Sequence, residues 1–187
     1  MGTRHLTAVF LDGEYKIAQY GQWDGYPRGA GKNCLNFAQS IIEETARKAF
    51  ADKVRSCSWI KQKYIDDKTN QEDWQKNYPE LSRDTGSDIL QLIQKSKSGL
   101  KLVNSIDFVA DGLMCEWVWV IDLDKSTFEG FRGFNNKPLT PHDRFHFLQY
   151  DENESFYPAR LIKEWQLSNL PTNEEFLKFF EKEDDHR

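Results

Sequence analysis

Residues 114–123 read Met-Cys-Glu-Trp-Val-Trp-Val-Ile-Asp-Leu, and they give the strongest indication of the fold class. The stretch is rich in β-branched and aromatic residues and has the length of one strand. Alternate residues of a strand face opposite sides of a sheet, and here both sets are apolar apart from Glu116. Such a pattern is typical of a central strand in a sheet that is covered on both sides.

Further strand patterns lie on either side of this stretch. Residues 4–11 are expected to form the first strand. Asp12-Gly13 is a strong two-residue hairpin signal, and residues 14–20 are expected to return antiparallel to that strand. Residues 124–126 should turn the chain into another strand over 127–132. Two more candidate strands are residues 145–150 and 159–167.

Helical periodicity predicts a long amphipathic helix over residues 33–55 and two later helices. Thr85-Gly86-Ser87-Asp88 and Thr172-Asn173-Glu174-Glu175 have capping-box spacing, so each should open a helix. The element order ββ-α-α-ββ-ββ-α predicts one α+β domain over residues 1–187, with a mainly antiparallel sheet packed against helices. The acidic run at 182–187 is expected to be a flexible tail.

The composition indicates a folded protein and narrows its possible partners. The chain has 187 residues, of which 39% are hydrophobic and 14% aromatic, and a formal net charge of −5. No basic run with interleaved aromatic residues offers nucleic acid a footprint, and no apolar run could span a membrane. Three scattered cysteines are typical of a reducing compartment: Cys34, Cys57 and Cys115. A soluble, cytoplasmic protein without nucleic-acid or membrane partners is therefore expected.

Two motifs resemble ligand sites but fail on detail. The glycine-rich run from Gly25 to Lys32 is followed by Asn33, where a phosphate-binding loop needs Ser or Thr. His142 and His146 have the spacing of two zinc ligands on a helix, but no third ligand is evident. The sequence thus predicts neither a metal nor a cofactor. A weaker anion site at the start of the helix after this loop stays open.

The candidate binding site is the loop Gly21-Gln22-Trp23-Asp24-Gly25-Tyr26-Pro27-Arg28-Gly29-Ala30-Gly31. Glycine and proline permit turns that other residues resist, and loops of this kind often carry function. Its polar and aromatic side chains should converge on one concave surface together with Arg4 or Arg83: Gln22, Trp23, Asp24, Tyr26 and Arg28. The alternative is a purely structural turn.

Glu116 is the one carboxylate expected inside the apolar core. A buried carboxylate is costly unless it is paired or used in function. Glu116 should therefore contact Arg4, Arg83 or another cation, or face the pocket of the 21–31 loop. Arg83 itself, within Ser82-Arg83-Asp84-Thr85, would stand beside a helix N-terminus, either as an anion grip or within an ordinary cap.

Gly2-Thr3 at the start of the first strand allows a catalytic hypothesis. N-terminal-nucleophile hydrolases expose a Thr, Ser or Cys whose free amine acts as the base. Thr3 would take this role after removal of Met1 and Gly2. In that case the α+β fold would be of the N-terminal-nucleophile type.

Four blocks of the sequence resemble a family of uncharacterised proteins from phages and microbial genomes. They are Gly2-Thr3-Arg4, Lys16 through Gly21-Gln22-Trp23-Asp24-Gly25-Tyr26-Pro27, Pro79-Glu80-Leu81-Ser82-Arg83-Asp84-Thr85-Gly86, and Cys115 through Asp124. The resemblance implies no assigned activity, but small phage proteins are often accessory factors that bind and block host machinery.

Two functional hypotheses remain open at this point. The preferred one is a non-catalytic accessory protein that binds a host macromolecule, or a small anionic ligand, through the 21–31 loop. The alternative is a hydrolase that uses Thr3.

Overall fold

The computed structural model describes residues 2–150 and 155–185. Its strands are β1 His5–Leu11, β2 Glu14–Gly21, β3 Ser58–Trp59, β4 Lys101–Leu102, β5 Trp117–Asp122, β6 Thr127–Arg132 and β7 Arg160–Gln166. Five of them form one sheet in the order β2-β1-β5-β6-β7, and β3 pairs with β4 separately. Neighbours in the large sheet are antiparallel, except that β1 and β5 are parallel. The predicted α+β fold with a mainly antiparallel sheet is confirmed.

Strand β5 occupies the middle of the sheet, and every one of its residues is buried. Side chains on one face, including Val9 and Trp119, pack against the helices. Side chains on the other face, including Val118 and Phe131, pack against residues 139–148 and their neighbours. The prediction of a central strand covered on both sides is confirmed, although the strand begins only at Trp117.

Both predicted hairpins are present. Asp12 and Gly13 have φ values of 56° and 79°, the left-handed backbone that a tight turn between twisted strands requires. The turn after β5 ends at Ser126, which has φ 57°, and leads into antiparallel β6. The chain therefore pairs β1 with β2 and β5 with β6 through local turns.

The helices are α1 Lys32–Ser40, α2 Glu44–Ser56, α3 Gln62–Thr69, α4 Trp74–Asn77, α5 Ile89–Lys95 and α6 Asn173–Asp185. The prediction of one long helix over 33–55 is wrong, because the chain breaks at residues 41–43. Ile41 is fully buried there, and Glu43 has extended backbone angles before α2. The break lets Phe37 of α1 meet Phe50 of α2 edge to face, with ring centroids 4.7 Å apart.

The candidate strand at 145–150 is also wrong, because these residues form turns. Phe145 and Leu148 are both buried, and the Leu148 amide donates to the Phe145 carbonyl at 3.1 Å. A spacing of three residues puts both side chains on one side of a helical turn. The apolar residues in this segment had suggested a period of two instead.

The two predicted capping boxes have different outcomes. Thr172 and Glu175 exchange hydrogen bonds in both directions: the Thr172 amide donates to Glu175 Oε2 at 2.8 Å, and the Glu175 amide donates to Thr172 Oγ1 at 3.3 Å. Thr85 makes no cap, because its hydroxyl donates instead to the Pro79 carbonyl. The run expected to be a tail starts within α6, which extends to Asp185; residues 186 and 187 lie outside the described residues.

Candidate functional site

The 21–31 loop is held against the core by backbone contacts. Trp119 of β5 donates its Nε1 hydrogen to the Gly25 carbonyl at 2.9 Å, within the buried interior. The Gly25 amide donates in turn to the Thr3 carbonyl at 2.8 Å. The loop is therefore fixed both to the central strand and to the residues that precede β1.

A second segment, residues 82–88, faces the first half of this loop. The Gln22 amide donates to the Arg83 carbonyl at 2.9 Å, and Trp23 Nε1 donates to Asp84 Oδ1 at 2.8 Å. Between the two segments lies a cleft of about 120 Å³, which we call the His5 cleft. Its lining includes His5, Gln22, Trp23, Asp24, Asn33, Arg83, Asp84, Thr85, Ser87 and Asp88.

His5, the first residue of β1, lies deep in this cleft and is only 2% exposed. The ring fits against two glycines, since a Cβ on Gly21 or Gly86 would lie 2.2 or 2.9 Å from His5 Cε1; a Cβ on Gly25 would lie 2.7 Å from the Cβ of His5. A larger residue at Gly21 or Gly86 would have to displace the imidazole. Gly86 also has φ +46°, a backbone conformation that other residues rarely adopt.

The buried His5 imidazole makes no hydrogen bond of normal geometry to another described residue, although the Thr3 carbonyl lies near enough to affect its pKa. Among the described residues, neither Nδ1 nor Nε2 has a hydrogen-bond partner. Burial lowers the pKa of His5 from 6.5 to about 4, and the nearby Thr3 carbonyl and Asp24 carboxylate only partly oppose this shift. At neutral pH the ring is therefore uncharged, with one nitrogen that can donate a hydrogen bond and one that can accept.

The mouth of the cleft is acidic. Asp24, Asp84 and Asp88 are exposed side chains of its lining, and Arg83 is the one cationic residue among them. The site thus combines a neutral floor with an excess of negative charge at its rim. A larger groove of about 610 Å³ adjoins it and shares Asp84, Thr85 and Asp88 as lining residues.

Four residues of the predicted site come together in the cleft: Gln22, Trp23, Asp24 and Arg83. Tyr26 lies beside them, with its hydroxyl donating to Asp24 Oδ1 at 3.1 Å. Arg28 turns away and pairs with Glu181 of α6. The loop therefore divides between a cleft-lining part and a part that packs on the last helix.

Arg4 and Glu116 lie away from the cleft and contact each other. Glu116 Oε1 accepts a hydrogen bond from the Arg4 amide at 3.2 Å and lies 3.9 Å from Arg4 Nη2. The expected pairing of Glu116 with a cation is therefore present. Its expected position inside the core is wrong, because Glu116 precedes β5 and its side chain is 21% exposed.

Thr3 lies just before β1 and is partly buried. Its carbonyl holds Gly25, as described above, so its clearest role is to position the loop. Met1, which the hydrolase hypothesis requires to be removed, lies outside the described residues.

Sequence reasoning missed His5, Ser87 and Asn33. In the sequence His5 directly follows the Gly2-Thr3-Arg4 block but belongs to no motif itself, and the glycines that contact it are distributed over residues 21–86. Asn33 Nδ2 donates to Ser87 Oγ at 3.3 Å, linking the start of α1 to the second wall of the cleft. The signal available in the sequence was a polar residue within an otherwise apolar strand.

A buried ionic triad was also missed. Arg144 Nε donates to Glu129 Oε2 at 2.6 Å, and its Nη2 contacts Glu129 Oε1 at 2.7 Å and also Asp122. Both carboxylates are almost fully buried. Burial alone would lower the pKa of Arg144, but hydrogen bonds and charge from Glu129 and Asp122 raise it above its ordinary value.

This triad lines a separate cavity of about 410 Å³ on the opposite face of the sheet from α1. Tyr15 shares the cavity, and burial raises the pKa of Tyr15 to about 12. The triad's hydrogen bonds tie β5 and β6 to the segment that carries Arg144. Its evident role is to hold that segment onto the sheet.

No group of three or more His, Cys, Asp and Glu side chains in the described part of the chain is arranged to hold a metal ion. His142 and His146 are both exposed and lie in turns rather than on one helix face. Within residues 2–150 and 155–185, no helix has the length and apolar character needed to cross a membrane.

Comparisons of the chain with protein-family models, with curated proteins and with solved structures find no match. The fold and the site thus define an α+β protein with a small, acidic-rimmed cleft above a neutral histidine. Chemically, the cleft offers hydrogen-bonding groups and negative charge. Among the described residues, no hydroxyl or thiol is hydrogen-bonded to His5.

Proposed function

We propose that this protein is a non-catalytic binding protein that engages another protein through the His5 cleft and the aromatic side chains beside it. The observation that carries the proposal is that two large aromatic side chains are exposed and yet held in place by hydrogen bonds. Trp23 is 49% and Tyr26 41% exposed, yet each is hydrogen-bonded to a carboxylate of the cleft rim. Exposed Trp and Tyr held in place are typical interface anchors, since little entropy is lost when they bind.

The adjoining groove supports a polypeptide as the partner. Its mostly polar lining contains two apolar residues, Pro79 and Leu92, together with the carboxylates of Asp84 and Asp88 and the ammonium of Lys95. Its volume of about 610 Å³ suits an extended segment that continues into the smaller cleft. We further propose a host protein in this role, as the family resemblance expected from the sequence would imply.

Binding is favoured over nucleophilic catalysis because the site lacks an activated nucleophile. A histidine base would need a Ser, Thr or Cys within hydrogen-bond reach. The Ser87 hydroxyl oxygen accepts a hydrogen bond from Asn33, and no described hydroxyl or thiol is hydrogen-bonded to the His5 ring. A small anionic ligand is disfavoured as well, since three aspartates face one arginine at the rim.

The test compares two exposed tryptophans at different places on the surface. Trp59, 37% exposed, lies outside the cleft and serves as the matched control for Trp23. Immobilised unchanged protein, Trp23→Ala and Trp59→Ala would capture partners from a host extract, and the captured protein would then be purified and its Kd measured. Loss of a central aromatic anchor is expected to weaken binding roughly 30-fold.

The expected outcome is a large loss for Trp23→Ala, with Trp59→Ala binding like the unchanged protein. Thermal unfolding of each variant shows whether the loss reflects binding rather than folding. Equal affinities for all three proteins, or a loss confined to Trp59→Ala, would contradict the proposed interface.

A further inference from the structure

The His5 cleft contains a feature that a merely structural turn does not need. His5 is 98% buried, being only 2% exposed, and both ring nitrogens lack a partner among the described residues. Buried polar side chains are normally hydrogen-bonded, so an unpartnered one at the floor of a cleft needs an explanation. Two glycines, Gly21 and Gly86, make room for this ring rather than filling the space.

The charged residues at the rim indicate which chemical group the cleft could bind. Asp24 and Asp84 each use one oxygen to hold an aromatic side chain, and within residues 2–150 and 155–185 no hydrogen bond reaches the second oxygen of either. Asp88 adds a third carboxylate, against the single guanidinium of Arg83. A group with several hydrogen-bond donors and a positive charge would match both the rim and the floor.

We propose that the His5 cleft receives a primary ammonium group, such as a lysine side chain of the partner protein. The inference rests on the proposed function, because it assigns the chemistry of that same site. The three donors of an ammonium can be shared between an imidazole nitrogen and the rim carboxylates. At about 120 Å³, the cleft holds roughly four water volumes, enough for the end of a lysine but not for a large ligand.

The experiment uses small probes and the resonances of His5. The ¹⁵N-histidine-labelled protein would be titrated at pH 7 with n-butylammonium, ethylguanidinium, butyrate and n-butanol. We expect saturable shifts of the His5 ring nitrogens with n-butylammonium, at lower concentration than with any other probe. The uncharged n-butanol and the anionic butyrate should not shift these resonances.

Variants of the rim test the role of charge. Asp24→Asn and Asp84→Asn keep an oxygen that can hold Tyr26 or Trp23, so the cleft should keep its shape. Each should weaken n-butylammonium binding about fivefold, because each removes one charge from the rim. Asp107→Asn is the matched control, since Asp107 is exposed and lies outside the cleft.

Several results would overturn the inference: tighter binding of butyrate, n-butanol or ethylguanidinium, equal effects of all three Asn variants, or no shift with any probe. If one of these results is found and Trp23→Ala has lost its partner, the proposed interface is supported and only the inference of an ammonium group is wrong. If n-butylammonium shifts the His5 resonances but Trp23→Ala binds the partner as tightly as the unchanged protein, only the proposed interface is wrong.

Discussion

At the scale of single residues, His5 is a buried titratable group whose pKa lies within a pH range that unfolding experiments can reach. Burial lowers its pKa to about 4, so the folded protein resists protonation that the unfolded chain accepts. Between pH 6.5 and about 4 the unfolded state therefore binds more protons, and the stability of the fold should fall as the pH falls. Below the folded pKa this contribution levels off.

We expect acidification from pH 7 to pH 4 to cost the unchanged protein on the order of 3 kcal/mol through His5 alone. Carboxylates titrate over part of the same pH range, so variants are needed to separate the contribution of His5 from theirs. His5→Asn should show a shallower fall in the free energy of unfolding, measured by denaturant titration at each pH. The exposed His146 provides the control, and His146→Asn should follow the unchanged protein. Parallel curves for all three would show that His5 titrates normally.

The glycine neighbours of His5 give a second prediction at this scale. A methyl group on Gly21 would meet the ring at 2.2 Å, so Gly21→Ala should cost roughly 1–3 kcal/mol of stability through overpacking. Because the clash involves the imidazole, the same change in a His5→Ala background should cost much less.

Gly13→Ala is the contrasting control, since no atom lies within 4 Å of its added Cβ and only its positive φ opposes the change. Its cost should be the same whether or not His5 is present. A double-mutant cycle from chemical denaturation measures both couplings. Zero coupling between positions 21 and 5 would show that the ring and the glycine do not touch.

At the scale of elements, Arg144 connects β5 and β6 to the segment that covers the second face of the sheet. Its guanidinium is the one cation within ion-pair distance of Asp122 and Glu129 among the described residues. Arg144→Met would leave two buried carboxylates without that cation, and we expect a loss of about 3–5 kcal/mol in the free energy of unfolding. Adding Asp122→Asn to this variant should recover part of the loss.

Arg55 provides the comparison for this prediction. It pairs with Asp12 and Asp52 on the surface, where water solvates the remaining charge after removal of a partner. Arg55→Met should therefore unfold close to the midpoint of the unchanged protein in urea. An Arg144→Met variant as stable as Arg55→Met would mean that water reaches the triad.

At the scale of the whole molecule, stability is concentrated in the large sheet and its covering helices. No residue of α3 or α4 is buried, whereas every residue of β5 is. Segments with few buried contacts open locally, without unfolding of the rest. We expect hydrogen exchange followed by mass spectrometry to show the fastest exchange of the helical segments in residues 62–77 and the slowest exchange in β5.

Low concentrations of urea distinguish local from global opening. Exchange in 62–77 should hardly change, while exchange in β5 should accelerate as global unfolding becomes easier. Helix α1, which buries Cys34, Leu35, Phe37 and Ala38, should behave like β5. Equal protection of α1 and α3 would show that α3 is as strongly packed as the core.

Much of this fold could be predicted from local sequence. The double apolar face of the β5 region, the Asp12-Gly13 turn and the Thr172 capping box each depend on residues close together in the chain, and each is confirmed. The break between α1 and α2 could not be predicted, because α1 and α2 individually have helical periodicity. It depends on where Ile41, Phe37 and Phe50 meet the rest of the core.

The candidate site likewise has some features that the local sequence predicts and others that it does not. The sequence by itself determined the central strand, the two tight hairpins and the glycine-rich loop that carries Trp23 and Asp24, because backbone conformation and periodicity are local properties. Only the tertiary structure decided that His5 lies beneath this loop, that Asp84 stands opposite Trp23, and that Arg28 and Glu116 lie elsewhere. The physical reason is that desolvation and charge pairing depend on distances in space, and the folded chain brings strand residue 5 together with loop residues 24 and 84, which are far apart in the sequence.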